Sequence, residues 1–363
     1  MFAPPSRIKG RGVAANPVGR FESTRHEAED DDWWRGEEPA AAPRTDVTIE
    51  QARSMITRND SPDLPFDLAL NPYRGCEHGC SYCYARPTHE YLNLSAGLDF
   101  ETKLYAKVNA AEVLRRELGK RGHIVSPINL GASTDPYQPI ERRHAITRRV
   151  LELLAECRHP ATIITKNALV LRDLDLLRCM ARDRLVRVFL SITTLDNGLA
   201  SRLEPRASAP HARLRAVADL AAAGVPVGVF VAPVIPALTD HELETIMTAA
   251  RDAGASIVRY TLLRLPYQVA PLFREWLELH APGRAAHTMS LQRQMRGGRD
   301  NDSRFGTRMR GEGPFAQLLQ QRFELARKRL GFTRHEESGS LRCDLFKAPR
   351  ERGSESAQGD LFA

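Results

Sequence analysis

Three cysteines fall within eight residues of one another in the stretch Arg74-Gly-Cys76-Glu-His-Gly-Cys80-Ser-Tyr-Cys83-Tyr-Ala-Arg86, at the spacing C-x3-C-x2-C. Thiolates are the protein ligands of iron–sulfur clusters, and a cubane normally takes four of them. Here three are supplied, so a [4Fe–4S] cluster on Cys76, Cys80 and Cys83 would leave one iron without a protein ligand. An open coordination position separates a reactive metal site from a closed structural one. Gly75 and Gly79 let the backbone curl around such a body. A competing donor set is a zinc knuckle, in which His78 or His89 completes the three cysteines. Structural zinc sites usually pair two short two-ligand clusters across a longer loop. These three are packed into one cluster, and no second cysteine pair follows.

The elements that must position this stretch alternate in type along the chain. Strands are expected at Phe66–Asn71, running into the cysteine loop, and at Ile124–Leu130, Ala161–Thr165, Val186–Ile192, Val227–Val234 and Ile257–Leu263. Between them lie helical patterns at Asn109–Leu118, Ala145–Cys157, Leu174–Ala181 and His211–Ala223, and a helix running to about Ala253. Asn109 is expected as an N-cap and Thr239-Asp-His-Glu242 as a capping box, with Gly119 and Gly224 as stops. Short β-branched apolar runs alternating with helices of ten or more residues argue a parallel sheet built from βαβ crossovers. Eight such units close a barrel, so the six here predict an α/β fold of partial (β/α)6 TIM-like barrel type, open on one side. Chemistry in such folds sits at the carboxyl ends of the strands. Four of those ends are polar: Ser133, Thr134 and Asp135 after the second strand, Lys166 after the third, Ser191, Thr193 and Thr194 at the fourth, then Glu204-Pro-Arg206.

The cysteine spacing, with Tyr82 just before the third cysteine, resembles the signature of the radical S-adenosylmethionine (radical SAM) superfamily. Asn71-Pro-Tyr-Arg-Gly-Cys76, the Ser-Thr-Asp-Pro-Tyr137 turn and Leu203-Glu-Pro-Arg206 narrow it to the branch related to spore photoproduct lyase and "DNA repair photolyase", over roughly residues 45 to 350. The resemblance implies that SAM chelates the open iron and is reductively cleaved to a 5′-deoxyadenosyl radical. It implies an electron donor such as flavodoxin or ferredoxin. It also implies SAM contacts from Tyr82, Ser133, Thr134, Asp135, Lys166, Ser191 and Thr193, with Arg206 as a clamp on the SAM carboxylate. One position departs from the pattern. Ala132 stands where spore photoproduct lyases carry a hydrogen-donating cysteine.

The remaining residues set the context. The formal net charge of +7 is compatible with a nucleic-acid partner. No apolar run approaches 18 residues, so no membrane span is expected. Six cysteines in a chain of 363 residues make no disulfide scaffold, and a cytoplasmic protein is expected. The segment from Gln292 to Arg310 carries Arg293, Arg296, Arg299, Arg304, Arg308 and Arg310 with Phe305 among them, the composition of a nucleic-acid-binding loop. A disordered arm is expected over 1–45, the barrel over 46–285, the arginine loop with a helical extension (Pro314 to Leu330) over 286–348, and a flexible tail over 349–363. In that tail Gln358, Leu361 and Phe362 are similar to the short motif that docks on the bacterial sliding clamp. Two other readings stay open: a nucleic-acid-binding protein whose cluster is structural, with distant Cys343 as fourth ligand, and a radical SAM enzyme acting on a peptide or small molecule.

Overall fold

The computed structural model describes residues 7–22, 43–333 and 339–349. The tail with Gln358, Leu361 and Phe362 lies outside the described residues.

Seven strands form one open sheet. They are β2 (Ile56–Arg58), β3 (Leu68–Leu70), β6 (Ile128–Leu130), β7 (Ala161–Thr165), β8 (Val186–Ser191), β9 (Val227–Val234) and β10 (Ile257–Leu262), in the order β10-β9-β8-β7-β6-β3-β2. A small second sheet joins β1 (Asp46–Glu50) and β4 (Tyr73–Arg74) to the two sides of β5 (Lys103–Lys107). In the large sheet only the β2–β3 pair is antiparallel; the other five pairings are parallel, with starts aligned as Leu68↔Ile128, Ile128↔Ala161 and Ala161↔Val186. All six expected strands are present and run in one direction, so their carboxyl ends share one face. The sheet has two edges, β10 and β2, and is therefore a partial barrel.

The strand β8 shows why the pattern was readable. Its six residues are buried on both faces, as happens when helices cover both sides of a parallel sheet. The helices, in chain order, are α1 (Asp99–Thr102), α2 (Ala110–Leu118), α3 (Glu141–His144), α4 (Ile146–Glu156), α5 (Leu174–Arg182), α6 (Asn197–Leu203), α7 (Pro210–Ala222), α8 (Leu243–Asp252), α9 (Val269–His280), α10 (Pro282–Gln294) and α11 (Gly313–Arg329). In α4, Ile146, Val150, Leu151 and Leu154 make the buried stripe, joining the strands in one core with Leu130, Ile163 and Val188. Among the described residues no helix is long and apolar enough to cross a membrane.

Three local expectations are corrected. Asn109 does not cap α2; its side-chain amide brackets Ala52, accepting from its N–H at 2.8 Å and donating to its carbonyl at 3.0 Å. The capping box before α8 does not form, because Thr239 Oγ1 accepts from the Ile235 N–H. Glu242 instead binds the loop after β8 through Thr194 Oγ1 and the Leu195 N–H at 2.7 Å. Tertiary partners outcompeted the local ones in both cases. Third, residues 7–22 of the supposedly disordered arm lie against the barrel. The Gly12 N–H donates to Glu101 at 2.9 Å, Asn16 brackets Asp99, and Gln268 Nε2 donates to the Val18 carbonyl at 3.1 Å. This strap joins the region of the cysteine loop to the start of α9.

Candidate active site

The cysteine loop leaves the carboxyl end of β3 through β4, and its curl is set by Gly75 and Gly79, both at positive φ (72° and 64°). A Cβ on Gly79 would sit 2.6 Å from Glu101 Oε2, so a larger residue is excluded by contact as well as conformation. Gln138 pins the loop from behind, accepting from the Glu77 N–H at 2.8 Å and donating to the Gly75 carbonyl at 3.1 Å. Arg86 is fully buried, paired with buried Glu101, and donates to the carbonyls of Cys80, Ala96 and Gly97. The loop is thus held by charges that have no water to compete for them.

Cys76 and Cys80 are buried and Cys83 is partly so. Burial pushes all three thiols up, and the neighbouring acidic groups and thiols add to this for Cys76 and Cys80. Such a set yields thiolates when a cation compensates them, which is the chemistry of an iron centre. No fourth thiol shares this face. Cys157 and Cys343 lie at the opposite ends of the strands: the Cys157 carbonyl accepts from Lys347 N just before β7, and Arg342 N donates to the Arg184 carbonyl just before β8. Cys179 is exposed on α5. A strand of five residues spans about 16 Å, so Cys343 does not reach the loop. The zinc knuckle fares no better. His78 Nδ1 faces Asp135 at 3.3 Å while its Nε2 takes a hydrogen bond from Asn167 at 3.2 Å. His89 Nε2 is 2.8 Å from the Lys103 carbonyl, with its ring against Phe100 and Tyr105. Among the described residues no three His, Cys, Asp or Glu side chains converge on a single-ion site.

The polar strand ends meet around the loop. Asp135, after β6, accepts from Thr165 Oγ1, the Lys166 N–H and the Tyr137 N–H at 2.7–2.8 Å, besides facing His78. Burial alone would raise its pKa; His78 and these donors outweigh burial and hold it below the usual carboxylate range. Thr134 Oγ1 donates to the Tyr73 carbonyl at 3.2 Å, and the Ser133 N–H donates to Asn71 at 2.9 Å. No internal hydrogen bond is seen for the Ser133 hydroxyl among the described residues. Ser191 ends β8, its carbonyl receiving Arg213 Nη1 at 2.8 Å. Arg206 pairs with Glu77 of the cysteine loop at 2.9 Å, and its backbone N–H donates to the His78 carbonyl at 3.2 Å.

A group that sequence reasoning passed over is the centre of this arrangement. Glu204 accepts from the Tyr82 hydroxyl and from Thr193 Oγ1 at 2.7 Å, and it pairs with Lys166 at 3.1 Å and with fully buried Arg213. Burial favours its neutral form, but Arg213 and Lys166, with the Tyr82 and Thr193 hydrogen bonds, hold it ionised well below the usual range. Glu204 stands beside Arg206 in the motif already singled out; what hid its role was that its partners come from the cysteine loop, β7, β8 and α7. Arg86, Glu101 and Gln138 were likewise missed, for the same reason, and His78, weighed as a zinc ligand, is instead held between Asp135 and Asn167.

The arginine loop is largely paired within the protein. Arg293 and Arg274 share Asp300, Arg304 pairs with Asp302 and Glu312, and Arg308 chelates Asp63 at 2.7 and 2.5 Å. Arg296 is buried among the carbonyls of Leu263, Thr307 and Arg308. Most of its arginines hold the protein to itself.

The profile of the radical SAM superfamily matches residues 70–250, a span that begins at the cysteine loop and ends within α8. Uncharacterized proteins of Mycobacterium bovis and Mycobacterium tuberculosis are each 37% identical over 259 residues, covering 70% of this chain and 76% of the relative. Among solved structures, a mutant of spore photoproduct lyase superposes with a TM-score of 0.58 at 17% identity, covering 79% of this chain and 81% of that one. Another mutant of the same lyase, with bound AdoMet and dinucleoside spore photoproduct, gives 0.56 at 17% identity, covering 79% and 80%. At that identity the likeness shows the fold. With its three-cysteine loop at the carboxyl end of the first parallel strand, the chain belongs to the radical SAM superfamily and is a radical SAM enzyme.

Proposed function

We propose that the enzyme holds a [4Fe–4S] cluster on Cys76, Cys80 and Cys83, binds SAM at the open iron, and directs the resulting radical chemistry at a nucleic-acid substrate. The observation that carries this is the donor set: three thiols at the carboxyl end of β3, with the other three cysteines off that face. When bound, the cluster supplies an electron, drawn from a flavodoxin- or ferredoxin-like donor, that splits SAM into methionine and a 5′-deoxyadenosyl radical. The chain's own residues position and insulate. Glu204 orients Tyr82 beside the loop and keeps Lys166 and Thr193 fixed at the ends of β7 and β8. Asp135 aligns His78 within the loop, while the Ser133 hydroxyl is a strand-end group left free to meet the SAM ammonium. The side chains of Thr134, Lys166, Thr193 and Arg206 are bound by other groups of the protein, and we assign them to positioning rather than direct SAM contact. The Ser191 hydroxyl, like that of Ser133, has no internal partner among the described residues and is assigned with it to the cofactor. The nucleic-acid substrate is supported by the charge of +7 and by the fold shared with a lyase solved with dinucleoside spore photoproduct. The lyase's cysteine-based hydrogen relay is not part of this proposal, since Ala132 carries no thiol and its carbonyl receives the Tyr84 hydroxyl.

Anaerobic reconstitution should load about four irons per chain, and the reduced protein should convert SAM to 5′-deoxyadenosine and methionine. Replacing Cys76, Cys80 or Cys83 by Ala should abolish both cluster absorbance and cleavage. Full SAM cleavage by the triple variant would end this reading.

A further inference from the structure

One arginine at the mouth of the site is partly buried without a carboxylate partner, whereas Arg299 and Arg310, also unpaired among the described residues, are exposed. Around it, Arg274, Arg293, Arg304 and Arg308 each hold a carboxylate, and Arg296 is capped by three carbonyls. Arg264, two residues beyond the end of β10, has no carboxylate partner among the described residues. Its Nη1 faces only the Met309 sulfur at 3.8 Å, and its Nε is buried with no hydrogen-bond partner. The nearby carboxylate, Asp63, is already chelated by Arg308. Burial, together with the like charge of Arg308, disfavours the charged form of Arg264. A partly desolvated guanidinium with no counter-charge is costly, and such a cation is retained where a ligand supplies the missing anion.

The surroundings say which anion. The Arg264 guanidinium lies 5.0 Å from the ring centroid of Tyr84, the residue that directly follows Cys83. Tyr84 is 47% exposed, and Phe305, with Arg308 at 4.7 Å from its ring centroid, is 57% exposed. Exposed rings beside a forked cation match the requirements of a nucleic-acid strand, whose bases stack on rings while its backbone carries the charge. We propose that Arg264 binds a backbone phosphodiester of a nucleic-acid substrate, with Tyr84 offering the face for an adjacent base. This rests on the nucleic-acid reading above and names the residue that recognises it.

The test is fluorescence anisotropy of the reconstituted protein with labelled single-stranded DNA and RNA of about twelve nucleotides, across a salt series. Arg264→Gln should weaken binding by about ten-fold and lower the salt slope by roughly 0.7, one single-strand phosphate. Arg264→Lys should restore the slope but only part of the affinity, because a point charge lacks the fork. Arg293→Gln, an exposed partner of Asp300, should change neither. Cluster absorbance of the Arg264 variants verifies that they fold. Oligonucleotides with neutral methylphosphonate linkages should erase the difference between wild type and Arg264→Gln; a difference that persists overturns the proposal. So does loss of SAM binding in Arg264→Gln with oligonucleotide binding intact, which would assign the guanidinium to the SAM carboxylate. Failure of the wild type to bind either strand overturns it too, while SAM cleavage by the same preparation would leave the cluster assignment standing.

Discussion

The cysteine loop and the arginine loop are both irregular, glycine-bearing segments crowded with charge, yet they are held in opposite ways. The first is fixed by ion pairs removed from water: Arg86 with Glu101, and Arg213 with Glu204, all buried. The second is fixed mainly at the surface, where Arg293 and Arg304 are 47% and 64% exposed in their pairs. Buried charges specify one geometry because separating them is expensive, whereas exposed pairs contribute little and tolerate rearrangement. The segment proposed to hold the cluster is built the first way. Besides buried Arg296, which is held by carbonyls, Arg308–Asp63, with side chains 14% and 11% exposed, gives the arginine loop an ion-pair anchor of intermediate kind. It ties that loop to the lead-in of the first parallel strand, on the open side of the partial barrel.

This contrast would break most visibly at Arg213. Arg213→Met leaves Glu204 buried with Lys166 as its remaining cation, and the loss should be about 3–5 kcal/mol in urea unfolding, with lower iron content after reconstitution. Adding Glu204→Gln should recover part of it. A loss below about 1 kcal/mol would mean that the buried network does not fix the loop.

The intermediate anchor makes a pH prediction. The Arg308 hydrogen bond and charge lower the Asp63 pKa against the opposing effect of burial. A depressed carboxylate contributes stability that is present above its unfolded pKa of about 3.9 and lost as pH falls through the folded value. Asp63→Asn should therefore cost about 1–2 kcal/mol at pH 7, and the gap to wild type should close as the solution is acidified below the ordinary carboxylate range. Parallel stability curves for the two proteins down to acid would refute this. The smallest effect is expected at the surface. Arg293→Ala should move the unfolding free energy by no more than about 0.5 kcal/mol, as read by the same urea titration.

How much of this was legible beforehand differs by element. The strands β7, β8 and β9 were readable to within a residue, because a parallel strand covered by helices is a short, mostly apolar run, and β8, buried at all six positions, is the extreme case. The cysteine loop was readable because its thiols are close in sequence, and its place at the carboxyl end followed from the strand before it. The caps at Asn109 and Thr239 were misread, since a short polar side chain takes whichever backbone partner the fold presents. Asp135, Lys166 and Arg206 were legible as residue types, but their partners, Thr165, Glu204 and Glu77, were not, because those lie 30 or more positions away in sequence.

The sequence by itself determined the βα alternation, the direction of the strands, the clustering of three thiols and the end of the sheet on which they lie. Each follows from hydrophobic periodicity or from neighbours a few positions apart. Only the tertiary structure decided which charges find a counter-charge. Arg308 and Asp63 are 245 positions apart, and Tyr82 and Glu204 are 122 apart. Composition shows how many arginines there are; which of them remains unpaired at the mouth, as Arg264 does, depends on distances of a few ångströms that exist only once the sheet has brought its strand ends together.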